Sequence, residues 1–237
     1  ITALTYHLEK MKDNDIYLWT EQKDLITKFN KSHKFDFLSK SIKFDSNVIL
    51  SNSLEEVLTD ASAIFILVGS KYFIDIIQEI KPFYRRNTPI YVGTKGMNLE
   101  QVEFFSERTR KQLKCNSYSF FAGPTFAKDL LLKDPIHFTI AGSNKIGTKL
   151  LDRIFPSQID YEYTNDLNGL ELLATLKNIY ALGSGILTGQ KVSEGIYYTY
   201  LTDVLKECNQ LLKKVYGLPN TLFSYGGIGD LFMTCNS

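Results

Sequence analysis

The stretch LLATLKNIYALGSG, residues 172 to 185, carries apolar residues on almost every side of a helix and one ammonium group, Lys177, in its middle. A lysine in apolar surroundings loses hydration, so its charged form is disfavoured and its pKa falls toward neutrality. That suits a side chain that must both give and take a proton. The structural alternative is that the four-carbon stem lies along apolar surface and carries the charge out to water. At about 100° per residue, Lys177 shares a sector with Leu170, Ala174, Ala181 and Ser184, with Leu172, Ile179 and Ile186 opposite. Small neighbours leave room for a ligand above the ammonium, and both sides of the helix are expected to be buried.

Three further segments bear chemistry. PIYVGTKGM, residues 89 to 97, is a buried strand ending in Thr94, Lys95 and Gly96. Ligands of open α/β sheets sit at the carboxyl ends of strands, where Gly96 allows close backbone approach and Lys95 would point into the crevice; taken alone, the segment favours a surface lysine in a turn. FFAGPTFAKDL, residues 120 to 130, runs from a strand through Gly123 and Pro124 into a helix expected over 125 to 132. Its start presents free backbone N–H groups and the Thr125 hydroxyl. GGIGDLFMTC, residues 226 to 235, is a glycine-rich loop that sets Asp230 at the start of a short helix with Thr234 one turn on. Asp230 by itself is also explained as a carboxylate stabilised by a helix dipole.

The elements that must position these residues alternate. Strand-like runs occur at 15 to 20, 47 to 50, 63 to 69, 89 to 94, 117 to 123, 136 to 142 and 160 to 164. Helical spacing occurs at 2 to 11, 21 to 30, 71 to 84, 99 to 112, 125 to 132 and 143 to 154. The pattern predicts an α/β fold, a Rossmann-like, doubly wound and mainly parallel sheet covered on both faces. From about Asn165 only helices follow, over 166 to 188 and 193 to 216, the second closed by Gly217 and Pro219. Residues 1–164 are therefore expected to bind a dinucleotide and residues 165–237 to form a helical substrate and catalytic domain. The chain opens in a helix, without the strand and G-x-G-x-x-G turn that normally start such a sheet, and stops abruptly after GIGDLFMTCNS. It reads as a piece of a longer protein or of a decayed gene, lacking its first strand and part of its helical domain.

Composition narrows the classes. Lys and Arg total 27 against 26 Asp and Glu, scattered along the chain, so nucleic acid and anionic membranes are not expected partners. The longest apolar run, residues 63 to 69, is too short to span a bilayer and no signal peptide opens the chain, so a cytoplasmic location is expected. Three cysteines without C-x-x-C spacing and three scattered histidines suggest neither a disulfide framework nor a metal site.

Taken together, TKG, AGPTFAK, ELLATLKNIYALGSGI and GIGDLFMTC resemble, in this order and spacing, the NAD(P)-dependent glycerol-3-phosphate dehydrogenases, with their TKG, SGPSFA, GALKN and GLGDLxxTC stretches. The resemblance implies hydride transfer between NAD or NADP and C2 of dihydroxyacetone phosphate or sn-glycerol 3-phosphate, serving phospholipid synthesis; it allows a homodimer. Lys177 matches the lysine that exchanges the proton on the C2 oxygen. Lys95 matches the lysine that touches both substrate and cofactor; Gly123 and Thr125 match substrate contacts, Ala127 a cofactor contact, and Asp230 the carboxylate beside Lys177. Glu21 and Gln22, after the first strand, stand where an acidic side chain takes the ribose 2′-OH and disfavours a 2′-phosphate. There are departures. Ile1 aligns with the third fingerprint glycine, the Ser-Arg-Asn phosphate contact would lie beyond Ser237, Asp203 replaces an arginine in an altered second helix, and Gly69 replaces a proline. Weak cofactor binding and little turnover are therefore expected of residues 1–237 alone. Another two-domain hydroxy-acid dehydrogenase, or a non-catalytic remnant, is the alternative reading.

Overall fold

The computed structural model of the chain describes residues 2–11, 14–37, 40–125, 135–142, 146–157 and 159–236. Five strands form its main sheet: β5 (Ile64–Ile66), β6 (Ile90–Val92), β9 (Tyr118–Ala122), β10 (Ile136–Gly142) and β11 (Ile159–Thr164), in the order β11-β10-β9-β6-β5. Neighbours pair in parallel except β9 with β10, where Ile140 stands opposite Phe121 in an antiparallel joint. The sheet is thus mainly parallel, as the near-continuous apolar runs predict. Helices cover both faces, so the strands bury side chains in both directions; all three residues of β6 are buried.

On one face α4 (Phe73–Ile80), α5 (Phe105–Leu113) and the long α7 (Leu167–Gly189) contribute Phe73, Ile77, Phe105, Leu170 and Ala174 to the core over β5, β6 and β9. On the other, α1 (Thr2–Leu8) and α6 (Ile146–Ile154) bring Leu4, Leu8 and Leu151 against Tyr91 and Ile140. Each such side chain, fully buried, contributes roughly 1.5–3 kcal/mol. The helical part continues with α8 (Glu194–Lys214) and α9 (Asp230–Cys235). Asp166 caps α7 by accepting the Gly169 N–H at 2.9 Å, and the same buried carboxylate takes the Leu218 N–H and the Thr221 hydroxyl.

A second, two-stranded parallel sheet pairs β1 (Ile16–Trp19) with β4 (Val48–Ser51). Among the described residues β1 pairs only with β4 and β5 only with β6, so each keeps one unpaired edge. Both strands line one cavity of about 840 Å³, walled by Ile16, Leu18, Ile64 and Ile66 with Leu4 and Leu8 of α1. The strand that normally starts a doubly wound sheet has no counterpart among the described residues.

Other elements differ from expectation. The helix predicted over 99 to 112 begins only at Phe105, because Asn98 bonds the Glu100 N–H, Val102 turns with φ 50°, and β7 (Met97–Asn98) pairs with β8 (Glu103–Phe104). Two more strands, β2 (Lys34–Phe37) and β3 (Lys40–Lys43), form an antiparallel hairpin after α2 (Lys23–Ser32), and α3 (Leu54–Leu58) is a short helix capped by Ser53. The helix expected over 125 to 132 lies, apart from Thr125, outside the described residues. The side of α7 opposite Lys177 is not buried: Ile179, Leu182 and Ile186 are 61%, 68% and 54% exposed, since no described element packs over them.

Candidate active site

Asp230 opens α9 and is fully buried. Its Oδ1 accepts from the Lys177 ammonium, and its Oδ2 from the Lys95 ammonium at 2.9 Å. Lys177 also donates to the Thr234 hydroxyl at 3.1 Å, and that hydroxyl donates to the Asp230 carbonyl one turn back. Lys177 comes from the middle of α7 and is 5% exposed, so its head lies in the interior rather than reaching water. The Lys95 side chain keeps 28% of its surface. One carboxylate therefore holds two ammonium groups, one buried and one partly exposed.

Local structure explains how three distant segments meet. Lys95 follows β6 in a loop anchored by the Thr94 hydroxyl, which donates to the Val68 carbonyl at 3.0 Å. Gly96 next to it adopts φ 131°, a conformation that favours glycine, over the Phe105 ring. Asp230 follows a glycine-rich turn that runs against other backbone; a Cβ on Gly227 would stand 2.4 Å from the Thr221 and Leu222 carbonyls.

Burial dominates the electrostatics. It pulls the Lys177 pKa down to about 8; Asp230 opposes the shift and the Lys95 charge adds to it. Lys177 can then donate a proton at neutral pH and accept one in mildly alkaline solution. Two cations beside a developing alkoxide would stabilise it strongly in a site poor in water.

The sequence-predicted residues divide. Lys177, Lys95 and Asp230 meet directly. Gly123 directly follows β9, where a Cβ would stand 2.4 Å from the His137 carbonyl, and its own carbonyl accepts the Thr125 N–H at 2.8 Å. Pro124 between them lies against Gly229, the residue before Asp230, so this turn adjoins the lysine cluster. Ala127 lies outside the described residues. Glu21 and Gln22 are exposed beyond β1, where the Gln22 N–H bonds the Thr20 hydroxyl; among the described residues neither bonds the lysine cluster. Ser184 does not leave ligand space, because its hydroxyl bonds the Cys235 carbonyl and Tyr197. Asp203 points outward to Lys206, and Gly69, at φ −63°, keeps a backbone that proline would adopt. Glu171 escaped the sequence reading: it is 2% exposed and bonded to Ser106 and Tyr118. An acid inside the apolar stretch that opens α7 was the available signal.

Comparison with known proteins bears on the family and the fold. A family model described as the NAD-dependent glycerol-3-phosphate dehydrogenase N-terminus matches residues 2–147, and its C-terminal counterpart matches residues 166–237. A protein of Acinetobacter baumannii named glycerol-3-phosphate dehydrogenase (NAD(P)+) is 27% identical over 224 residues, covering 94% of this chain and 62% of that protein. A protein of the same name from Wolbachia pipientis is 26% identical over 242 residues, covering 100% of the chain and 73% of the relative. The crystal structure of glycerol-3-phosphate dehydrogenase from Coxiella burnetii matches with a TM-score of 0.91 at 25% identity, over 100% of this chain and 72% of that one. The chain thus spans 62% of the length of the Acinetobacter relative and somewhat more of the other two.

Proposed function

We propose that this chain, which belongs to the NAD-dependent glycerol-3-phosphate dehydrogenase family, takes part in interconverting dihydroxyacetone phosphate and sn-glycerol 3-phosphate. The observation that carries this is the pair of lysines on one buried carboxylate, with the Lys177 head turned inward. In this reading residues 1–164 hold NAD or NADP and residues 165–237 supply the catalytic helix. The donor set fits such a cofactor: Lys95 reaches out beyond the end of β6, and Glu21 stands exposed beyond β1, free to accept from a ribose hydroxyl. When bound, the nicotinamide supplies the hydride for C2 or takes it back.

The protein's part is binding, charge and the proton. Lys95 and Lys177 polarise the C2 carbonyl, and Lys177 gives its proton to the oxygen as the alkoxide develops; in the reverse direction neutral Lys177 takes it. Asp230 keeps Lys177 aimed and offsets the repulsion between the two ammonium groups. Gly123 and Thr125 offer backbone and hydroxyl groups to the substrate from the turn beside Gly229, and Ala127 belongs to the cofactor side. A cytoplasmic location, a homodimer and service to phospholipid synthesis complete the reading.

The test is NADH consumption with dihydroxyacetone phosphate, in a protein extended to the length of its relatives and in its Lys177→Ala variant. Turnover that falls as pH rises through about 8 and vanishes in the variant supports the assignment. Turnover unchanged by Lys177→Ala would overturn it.

A further inference from the structure

A buried carboxylate outside the lysine cluster joins the catalytic helix to the sheet layer. Glu171 sits six residues before Lys177 in α7. Its Oε1 accepts the Ser106 N–H at 3.1 Å and the Tyr118 hydroxyl at 3.3 Å, and its Oε2 accepts the Ser106 hydroxyl. Ser106 is the second residue of α5, and Tyr118 begins β9. The residue in the capping position of α5, Phe104, makes no side-chain capping bond. Glu171 therefore supplies from α7 the capping acceptor that Phe104 cannot, at a helix start whose first turn also carries Glu107 and where free N–H groups and the helix dipole favour negative charge.

The other end of this connection is Lys95. Phe105, the first residue of α5, stacks on Phe73 at 4.1 Å between centroids, and its ring lies 3.5 Å from where a Cβ on Gly96 would stand. Glu171 thus ties the helix that carries Lys177 to the helix on which the Lys95–Gly96 loop rests. We propose that Glu171 is a positioning residue that sets the two lysines at the separation where both reach Asp230. This rests on the reading of those lysines as the reaction's ammonium groups.

The surroundings of Glu171 are neutral apart from one cation. From α5 it faces Ser106 and, farther off, the Arg110 charge, which lies 5.8 Å over the Tyr118 ring; from β9 it faces Tyr118, with the Cys115 thiol beside that phenol. Burial pushes its carboxyl up to about 7, against the pull of Ser106, Tyr118 and Arg110. The ionised form uses all three donors. A glutamine in its place still accepts the Ser106 N–H and can donate to the Ser106 hydroxyl, so it replaces part of the bolt, whereas alanine removes it.

The experiment reads Lys177 without requiring turnover. The rate of acetylation of each lysine is followed against pH by mass spectrometry in the wild-type chain, Glu171→Ala, Glu171→Gln and Ser106→Ala, beside thermal melts and, where turnover exists, kcat and KM. In Glu171→Ala the midpoint for Lys177, about 8 in the wild type, is expected to leave that value, because its burial and its contacts with Asp230 and Lys95 change together. kcat should fall about tenfold or more with KM little changed. Glu171→Gln and Ser106→Ala should fall between, and they decide the matter if Glu171→Ala does not fold. A lower melting temperature with an unmoved Lys177 midpoint in folded variants would overturn the proposal and leave Glu171 a structural residue. A moved midpoint in a protein extended to the length of its relatives and still without turnover would uphold the positioning and refute the dehydrogenase reading instead.

Discussion

Asp230 and Glu171 are both buried carboxylates at α7, the helix that carries Lys177, and they differ in what faces them. Asp230 receives two ammonium groups, one on each oxygen. Glu171 receives an amide, a hydroxyl and a phenol, and burial raises its pKa to about 7. An anion among cations makes a charged centre fit for polarising a substrate. An anion among neutral donors makes a fastener whose charge is negotiable. In the proposed reading, similar burial serves chemistry in one place and alignment in the other.

The largest expected break in this comparison is Lys177→Ala in a protein extended to the length of its relatives, which should lower turnover roughly a thousandfold or more while the circular dichroism spectrum stays native. Next come two matched amide substitutions. Asp230→Asn leaves two ammonium groups facing each other without an anion, and chemical denaturation at pH 7 should show a loss of about 3 kcal/mol. Glu171→Gln should cost far less there, because the carboxyl it replaces is already half protonated near that pH.

The pH dependence of stability sharpens the contrast further. Folded Glu171 binds its proton more firmly than the unfolded chain does, at about 7 against an ordinary 4.5. Its contribution is therefore fully present below about 4.5 and lost as pH rises through about 7. Melts of wild type and Glu171→Gln should diverge in favour of the glutamine variant across that window and run parallel above it. Lys177 has the opposite sign: its lowered pKa contributes stability above the ordinary lysine range, lost as pH falls through about 8. The smallest effect is expected at Leu182→Ser, on the uncovered side of α7, which should change stability by no more than about 0.5 kcal/mol.

These two carboxylates also mark how far sequence reading reaches. Parallel strands buried on both faces spell nearly unbroken apolar runs, and the run at 136 to 142 coincides with β10. The hairpin of β2 and β3 and the five-residue α3 are too short to carry a clear period, and the turn after Asn98 cut short a helix that spacing alone extended. Lys177 stood out as a charge in an apolar helix, and the TKG and GIGDL stretches pointed to Lys95 and Asp230. Glu171 broke the same apolar pattern yet passed unnoticed, because Ser106 lies 65 positions away and nothing local marks it as a partner. Which flank of α7 is covered was equally illegible, since a helix apolar all round does not name its neighbours.

The carboxylate that caps α7 has a consequence for motion. Asp166 holds the Gly169 N–H at the start of α7, the Leu218 N–H and the Thr221 hydroxyl together, so the first turn of that helix and the segment leading to Asp230 share one fastening. Asp166→Ala should therefore quicken amide hydrogen exchange in both segments at once.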